Sequence, residues 1–522
     1  MATVMIAGAG PTGLMLACEL RLAGIDVVLV DRLPGRSGQS RAGGMHARTM
    51  EVMDQRGLLD GFLTGGVPMQ IGHFSGLELD FSGLATRYPH MLRIPQSDVE
   101  VLLEEHLAKL GTQVRWSAGV TGIRQGEHGV TVELGGDSGD GEELVVDYLV
   151  GCDGGRSTVR KLLGIGFPGT EPTLSSILGD VELTDPPAAP IVEERRPNGR
   201  LSVFAFGENW WRVTTTEYDA DVARDTPVDV EDLRATLIRI GGTDFGMHSP
   251  RWVSRFNDST RQADRYRQGR VLLAGDAAHI HFPAGGQGMN LGIQDAVNLG
   301  WKLALVARGQ APAHLLDSYQ AERHPVAARV LANTRAQTAL GRPDTHTSAL
   351  REMFETLMAQ DTAGPQHLAG MVSALDIRYP LGDGHPLTGR RVPDFDLTTD
   401  SGSGSDSGSG GRSRVFELLH GGRGVLLDLA GHAGTAAVLS GWAGRVDLVT
   451  ARRAEPTVAV PGLGRCVLPR VLLIRPDGHV AWCGPTEPAG DGVGVDLGAL
   501  HAALTDTFGP AEPPRAPAAK AT

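Results

Sequence analysis

The run Thr3-Val4-Met5-Ile6-Ala7-Gly8-Ala9-Gly10-Pro11-Thr12-Gly13 opens the chain and decides its fold. Val4–Ala7 reads as a buried parallel strand, and Gly13–Leu22, apolar around Leu14, Ala17 and Leu20, reads as a helix. Between them Gly8 permits a tight turn, Gly10 lets the backbone approach a pyrophosphate, and Gly13 lets helix and strand pack closely. The helix N-terminus turns unpaired N–H groups and the positive end of its dipole toward the phosphates. A second strand, Val27–Val30, ends at Asp31, about 20 residues downstream, where a ribose-binding acid belongs.

Two later stretches extend this pattern. Val150-Gly151-Cys152-Asp153-Gly154-Gly155-Arg156-Ser157 is one, and Val271-Leu272-Leu273-Ala274-Gly275-Asp276-Ala277-Ala278-His279 is the other. In each, an apolar strand runs into Gly and Asp at its carboxyl end, where open α/β sheets hold their ligands. The third leads into Pro283-Ala284-Gly285-Gly286-Gln287-Gly288-Met289-Asn290, whose glycines let backbone N–H groups meet a flat, electron-rich ring. A helix starting near Met289 is aimed at that ring. Three such stretches in this order predict one extended dinucleotide, FAD. Asp276 is expected to accept hydrogen bonds from sugar-alcohol hydroxyls, with a cap of a short turn at Ala277–His279 as the alternative.

These stretches, with Ser40-Arg41, Ala47-Arg48-Thr49-Met50-Glu51, Ile94-Pro95-Gln96 and Asp317-Ser318-Tyr319…Glu322-Arg323, carry a resemblance over nearly the whole chain. The sequence resembles the single-component, class A flavin monooxygenases of the para-hydroxybenzoate hydroxylase fold. Within them it is most similar to the aromatic polyketide hydroxylases of angucycline, anthracycline and tetracycline biosynthesis. Asp31 stands where that family more often has Glu. The resemblance implies that Gly8, Gly10, Pro11, Thr12 and Gly13 cradle the pyrophosphate and that Asp31 and Arg32 flank the adenosine ribose. Arg41 and Gln96 would touch the middle of the cofactor and Val120 the adenine side, and Asp153, in the second stretch, would also bind the cofactor. Asp276 would bind ribityl or pyrophosphate oxygens. Pro283, Gly286, Gly288, Met289 and Asn290 would face the isoalloxazine edge.

Composition excludes several classes. At 522 residues the chain holds two or three domains, and a net charge of −13 argues against nucleic acid and anionic membrane as partners. Cys18, Cys152, Cys466 and Cys483 form no CxxC and no metal spacing, so they read as reduced thiols of a cytoplasmic protein. No signal peptide is visible, and no apolar run reaches the roughly 20 residues needed to span a bilayer. His279 and His281 lack the partners of a metal site, so no metal is expected.

The expected architecture is α/β with an α+β part. A Rossmann-like FAD-binding domain takes residues 1–174 and, with helices, 270–399. An antiparallel sheet at 175–269, with a hairpin of Leu201–Phe206 and Trp211–Thr216, is inserted between them as the substrate domain. Helices are expected at Leu291–Arg308, at Ala313–Leu340 with a break near Pro325, and at Thr347–Leu375. A Ser/Gly linker at 400–412 leads to a thioredoxin-like domain at 413–510 without a CxxC, beginning with a strand at Val415–Leu419. Residues 511–522 read as a disordered tail.

The activity that the resemblance implies is hydroxylation of a polycyclic aromatic polyketide, phenolic or quinoid, through a flavin C4a-hydroperoxide. FAD would be bound non-covalently, NADPH or NADH would act as a transient co-substrate, and O2 would be the oxidant. No second GxGxxG unit serves the nicotinamide coenzyme, which fits binding in the shared cleft. No catalytic residue stands out. His73, Tyr218 and Arg391 are the polar groups considered for orienting the substrate. A Baeyer–Villiger oxygenase and an FAD- and ligand-binding protein without turnover are the alternatives, and a homodimer is left open.

Overall fold

The computed structural model describes residues 2–136, 141–207, 209–218, 226–382, 384–399, 411–453, 455–486 and 495–513. Strand β1 (Thr3–Ala7) enters helix α1 (Pro11–Leu22) through the glycine turn, and β2 (Asp26–Val30) pairs parallel to β1. On the other side β1 pairs in parallel with Tyr148–Gly151, which pairs with Val271–Leu273. All three glycine stretches therefore leave neighbouring strands of one six-stranded sheet at the same edge. The strands are almost continuously apolar and buried, packed into one core with α1 and with Val130, Val132, Leu134 and Val146 of the antiparallel strands Val130–Gly135 and Glu142–Val146. Helix α1 packs on the helix Gln287–Ala307, whose residues from Asn290 to Val306 are all buried.

The middle region is a five-stranded antiparallel sheet. Its order is Ile191–Arg196, Gly199–Ala205, Trp211–Tyr218, Leu174–Leu183, Met247–Asn257. The expected hairpin forms, with Leu201 opposite Thr215 and Ala205 opposite Trp211. Helix Val230–Gly241 is fixed by a capping box of Asp229 and Asp232 and lays Leu233, Leu237 and Ile240 on the sheet.

Three local expectations are corrected. Helix Asp317–Leu340 runs through Pro325 without a break. Its buried Tyr319 and Arg323 are bonded to Leu273 and Asp295 on one side of the proline, and Val326, Ala327 and Val330 are packed on the other. Tertiary packing there outweighs the lost backbone bond. The single helix expected over Thr347–Leu375 is two, Thr345–Gln360 and Ala363–Val372, separated where Asp361 is extended. Val415–Leu419 is a 3-10 helix, not a strand, with Val415, Phe416 and Leu419 all turned into the core.

The C-terminal sheet has the order Gly411–Arg414, Asp396–Thr399, Val446–Arg452, Gly424–Asp428, Val471–Ile474, Val480–Cys483. Asp396–Thr399 and Gly411–Arg414 are antiparallel neighbours, so the Ser/Gly run joins two strands of one sheet and does not link domains. Most of that run, 400–410, and most of the tail, 514–522, lie outside the described residues. This region docks on the first domain through buried charge. Arg475 pairs with Glu322, and Arg56 pairs with Glu19 while donating to the Leu419 and Pro476 carbonyls.

Neither thiol of this region is activated. Burial raises both, Cys483 up to about 12, and a thiolate is what reacts. A Cys466→Ser, Cys483→Ser double variant should keep its NAD(P)H-dependent turnover within about twofold, about 0.4 kcal/mol against the ~1.4 kcal/mol of a tenfold loss. A tenfold loss with FAD still bound would show that the region takes part in the redox chemistry.

Candidate active site

The turn after β1 is built for close approach. Gly8 has φ 107°, and a Cβ there would lie 2.3 Å from the Cys152 carbonyl oxygen and 2.9 Å from Asp153 Cα. A Cβ on Gly13 would lie 1.9 Å from the Gly8 carbonyl oxygen. Gly10 differs: nothing lies within 4 Å of where its Cβ would be, and as N-cap of α1 it supplies no side-chain cap. The first-turn amides of α1 beyond Pro11 thus carry no side-chain cap, as an anion site requires. Thr12 turns its side chain toward Gly275 and Gly292, each of which has no room for a Cβ beside it.

Asp31 accepts the Ala9 N–H at 2.8 Å and the Leu33 N–H at 2.9 Å, which fixes the carboxylate at the end of β2. Gln96 accepts the Ala42 N–H at 3.1 Å and so holds the strap that carries Arg41. Val120 is buried on the strand Gly119–Gln125, just beyond Ala118, whose N–H meets the Asp31 carbonyl. Asp276 is exposed in the 3-10 turn Gly275–Ala277; its carboxylate makes no hydrogen bond or ion pair among the described residues and feels only the charge of nearby His281. Ala274 is the N-cap of that turn and no side chain caps it, so the capping alternative for Asp276 fails.

The Pro283–Gly286 segment makes its turn with Gly285 at φ 69° and Gly286 at φ 65°, a region that side-chain-bearing residues rarely adopt. Gly286 is also the uncapped N-cap of Gln287–Ala307, where Gly288 and Met289 are partly exposed.

Besides Asp31 and Gln96, whose amide also donates to Glu100 at 2.8 Å, four more polar side chains proposed for ligands have partners within the protein. Asp153 accepts from Ser157 Oγ and from the Thr158 and Val159 N–H groups, so it caps the helix that follows. Asn290 accepts the His46 N–H at 2.8 Å and donates to the Gly44 and Gly286 carbonyls, tying the strap to the glycine turn. Tyr218 donates its hydroxyl to the Gly341 carbonyl at 2.9 Å. Arg391 is 3 % exposed and paired with Glu51 at 2.8 Å against the C-terminal region. In each case a partner distant in sequence, or a nearby helix end, captures the group. His73 fares differently: its strand, Ile71–Phe74, packs against the turn Ala284–Gly286. Burial lowers its pKa, so the imidazole is neutral near pH 7.

A cavity of about 430 Å³ opens where the first domain meets the antiparallel sheet. Arg32, Arg41 and Asp153–Arg156 form one wall, and Thr226–Val228 with Val253–Arg255 the other. Sequence reading missed Arg156 and Arg255. The signal available for Arg255 was its period-two spacing from Val253, which marks one face of a strand. Among the described residues Arg32, Arg41 and Arg255 line it beside Asp153, whose carboxylate is already bonded, so the wall suits an anion. Among the described residues no cluster could hold a metal ion, and no helix is long and apolar enough to cross a membrane.

Residues 1–334 match the FAD binding domain family, and residues 385–511 match the aromatic-ring hydroxylase C-terminal family. The chain is 46% identical over 521 residues to a 12-dehydrotetracycline 5-monooxygenase/anhydrotetracycline 6-monooxygenase of Streptomyces rimosus, covering 97% of this chain and 99% of that one. Among solved structures, the OxyS anhydrotetracycline hydroxylase from Streptomyces rimosus aligns with a TM-score of 0.86 at 46% identity, over 98% of this chain and 99% of that one. CabE, an aromatic hydroxylase from angucycline biosynthesis, aligns with a TM-score of 0.87 at 43% identity, over 98% and 100%. An uncapped helix beside a glycine with open space, an exposed carboxylate at the third stretch without a hydrogen-bond or ion-pair partner among the described residues, and a glycine turn at the second helix together fit FAD. The chain therefore belongs to the FAD-binding aromatic-ring hydroxylase family and is an FAD-dependent monooxygenase.

Proposed function

We propose that this monooxygenase hydroxylates a polycyclic aromatic polyketide, phenolic or quinoid, at the expense of NAD(P)H and O2. The observation that carries the reading is identity of 43–46% over nearly the full length to hydroxylases named for tetracycline substrates and to one from angucycline biosynthesis. When bound, the flavin supplies the redox chemistry that activates dioxygen for insertion of one oxygen atom. The chain's own residues bind and orient. The α1 amides from Thr12 onward and Asp276 hold the cofactor, with Arg41, Gln96 and the Gly286–Met289 turn beside them. Residues 1–174 and 270 to about 395 make up the cofactor domain, 175–269 the substrate sheet, and the C-terminal region from Asp396 onward a thioredoxin-like buttress.

The reduced nicotinamide coenzyme binds transiently in the cleft it shares with FAD, with Arg255, across the cavity from Arg32 and Arg41 on the cofactor side, facing its phosphates. That choice favours NADPH, which carries one more phosphate than NADH. Of the polar groups considered for substrate, His73 stands on the strand that packs against the Ala284–Gly286 turn. It is suited, as a neutral imidazole, to hold a phenolic hydroxyl.

The purified protein should be yellow and release one FAD per chain on heating or acid. With NADPH and air it should convert an anhydrotetracycline or angucyclinone panel to products heavier by one oxygen atom, read by mass spectrometry and NMR. Ring insertion next to a ketone would favour the Baeyer–Villiger alternative. Absence of NAD(P)H oxidation with every ligand would overturn the hydroxylase reading.

A further inference from the structure

Ser40–Gly43 belongs to no helix or strand, yet it carries Arg41 into the wall of the cavity. Its position is set by ties from two sides. The helix that starts at Gln96 takes one side: Gln96 Oε1 accepts the Ala42 N–H, and the Gln96 N–H meets the Ala42 carbonyl, both at 3.1 Å. Arg212, on the antiparallel sheet, takes the other. Its guanidinium is 2 % exposed and donates to the Arg41 carbonyl at 3.2 Å and to the Ser40 carbonyl.

Asp180, on the adjacent strand, holds the same guanidinium with both oxygens, at 2.7 and 2.9 Å, and accepts from the Trp252 indole at 3.1 Å. The Phe206 ring lies 4.2 Å from the guanidinium carbon. Asp180 already balances the charge, so the two carbonyl contacts are not needed to neutralise it. What they require is a rigid planar fork that reaches a carboxylate and two carbonyls at once, which arginine supplies and lysine does not. A Cβ on Gly43 would lie 3.3 Å from Arg212 Nη1, so the strap is bare where the guanidinium passes.

We propose that Arg212, held by Asp180, is a positioning residue that fixes the Ser40–Gly43 strap against the substrate sheet and thereby sets the affinity for FAD through Arg41. The proposal rests on the cofactor role of Arg41 given above. It makes the substrate sheet a structural determinant of cofactor binding, although Arg212 itself touches no cofactor.

The test is a mutant cycle on apo-protein freed of flavin and titrated with FAD, followed by flavin fluorescence. R212K and R41A should each weaken FAD binding about tenfold, the scale of one charge-assisted hydrogen bond. The double variant should be no weaker than R41A alone, because coupled residues do not add. The apo melting temperature of R212K should stay near wild type, since the lysine still pairs with Asp180. Unchanged FAD affinity in R212K, or multiplied losses in the double variant, would overturn the proposal. Should R212K fail to fold, the charge-neutral pair R212Q/D180N takes its place in the same cycle with the same expected results. An unchanged affinity in R41A would instead refute the cofactor role of Arg41, which separates failure of that reading from failure of the clamp.

Discussion

Replacing Asp276 by Ala should weaken FAD binding ~10- to 100-fold, the range spanned by losing one or two charge-assisted hydrogen bonds. The carboxylate sits at the carboxyl end of Val271–Leu273, exposed, with no hydrogen-bond or ion-pair partner among the described residues. The turn that presents it does not depend on it. The Gly275 N–H is held by Asp295 at 3.2 Å, and Asp295 is itself fixed by Arg323 and His279, both at 2.7 Å. Apo-protein stability should therefore be unaffected while flavin retention on dilution and dialysis falls. D276N, which keeps one carbonyl acceptor and loses the charge, should fall between. Equal FAD dissociation constants for D276A and wild type would remove Asp276 from the cofactor site.

The largest effect on stability is expected at Glu322. This residue is 3 % exposed and accepts from Arg475 with both oxygens at 2.8 Å, from Lys302 at 2.8 Å and from Asn298 at 2.6 Å. Removing it leaves Arg475 with Asp477 and leaves Lys302 buried without its anion. Breaking such a pair costs about 3–5 kcal/mol. Glu322 belongs to a helix of the cofactor domain and Arg475 to the C-terminal sheet, so E322A should also loosen their docking. We expect a lower apparent melting temperature and faster proteolysis within the C-terminal region. A melting curve and digestion pattern like wild type would show that the network contributes little.

The pH dependence of this pair has a definite sign. Burial pushes the Glu322 carboxyl up, but Arg475 and Lys302 outweigh it and hold the group at about 2, below its ordinary 4.5. A carboxyl lowered in the folded state contributes stability that is complete above pH 4.5 and lost as the pH falls toward 2. Stability measured across that window should fall less steeply in E322Q than in wild type.

The cofactor scaffold was legible because its signal is local. A glycine that must adopt positive φ, as at Gly8 and Gly275, or must leave room for backbone, as at Gly13, announces itself by residue type. Strand–turn–helix order around those glycines then gives the sheet and its ligand edge. Pro325 shows the limit even of local rules, since packing on both sides carried the helix past a residue that usually breaks one.

What the sequence by itself determined was thus the nucleotide-binding sheet, its three glycine turns, the inserted antiparallel sheet and the family that these imply. The tertiary structure alone decided which polar side chains remain for ligands. Asn290 and Arg391 have the right chemistry for a site, but His46 is 244 positions from the first, and Glu51 is 340 positions from the second. Arg212 had no distinguishing mark in the sequence, and its importance lies in two carbonyls more than 170 positions away. A backbone conformation is written in the residue that adopts it. The partner of a hydrogen-bonding side chain is whichever group folding brings within about 3 Å, and one residue's identity does not encode that.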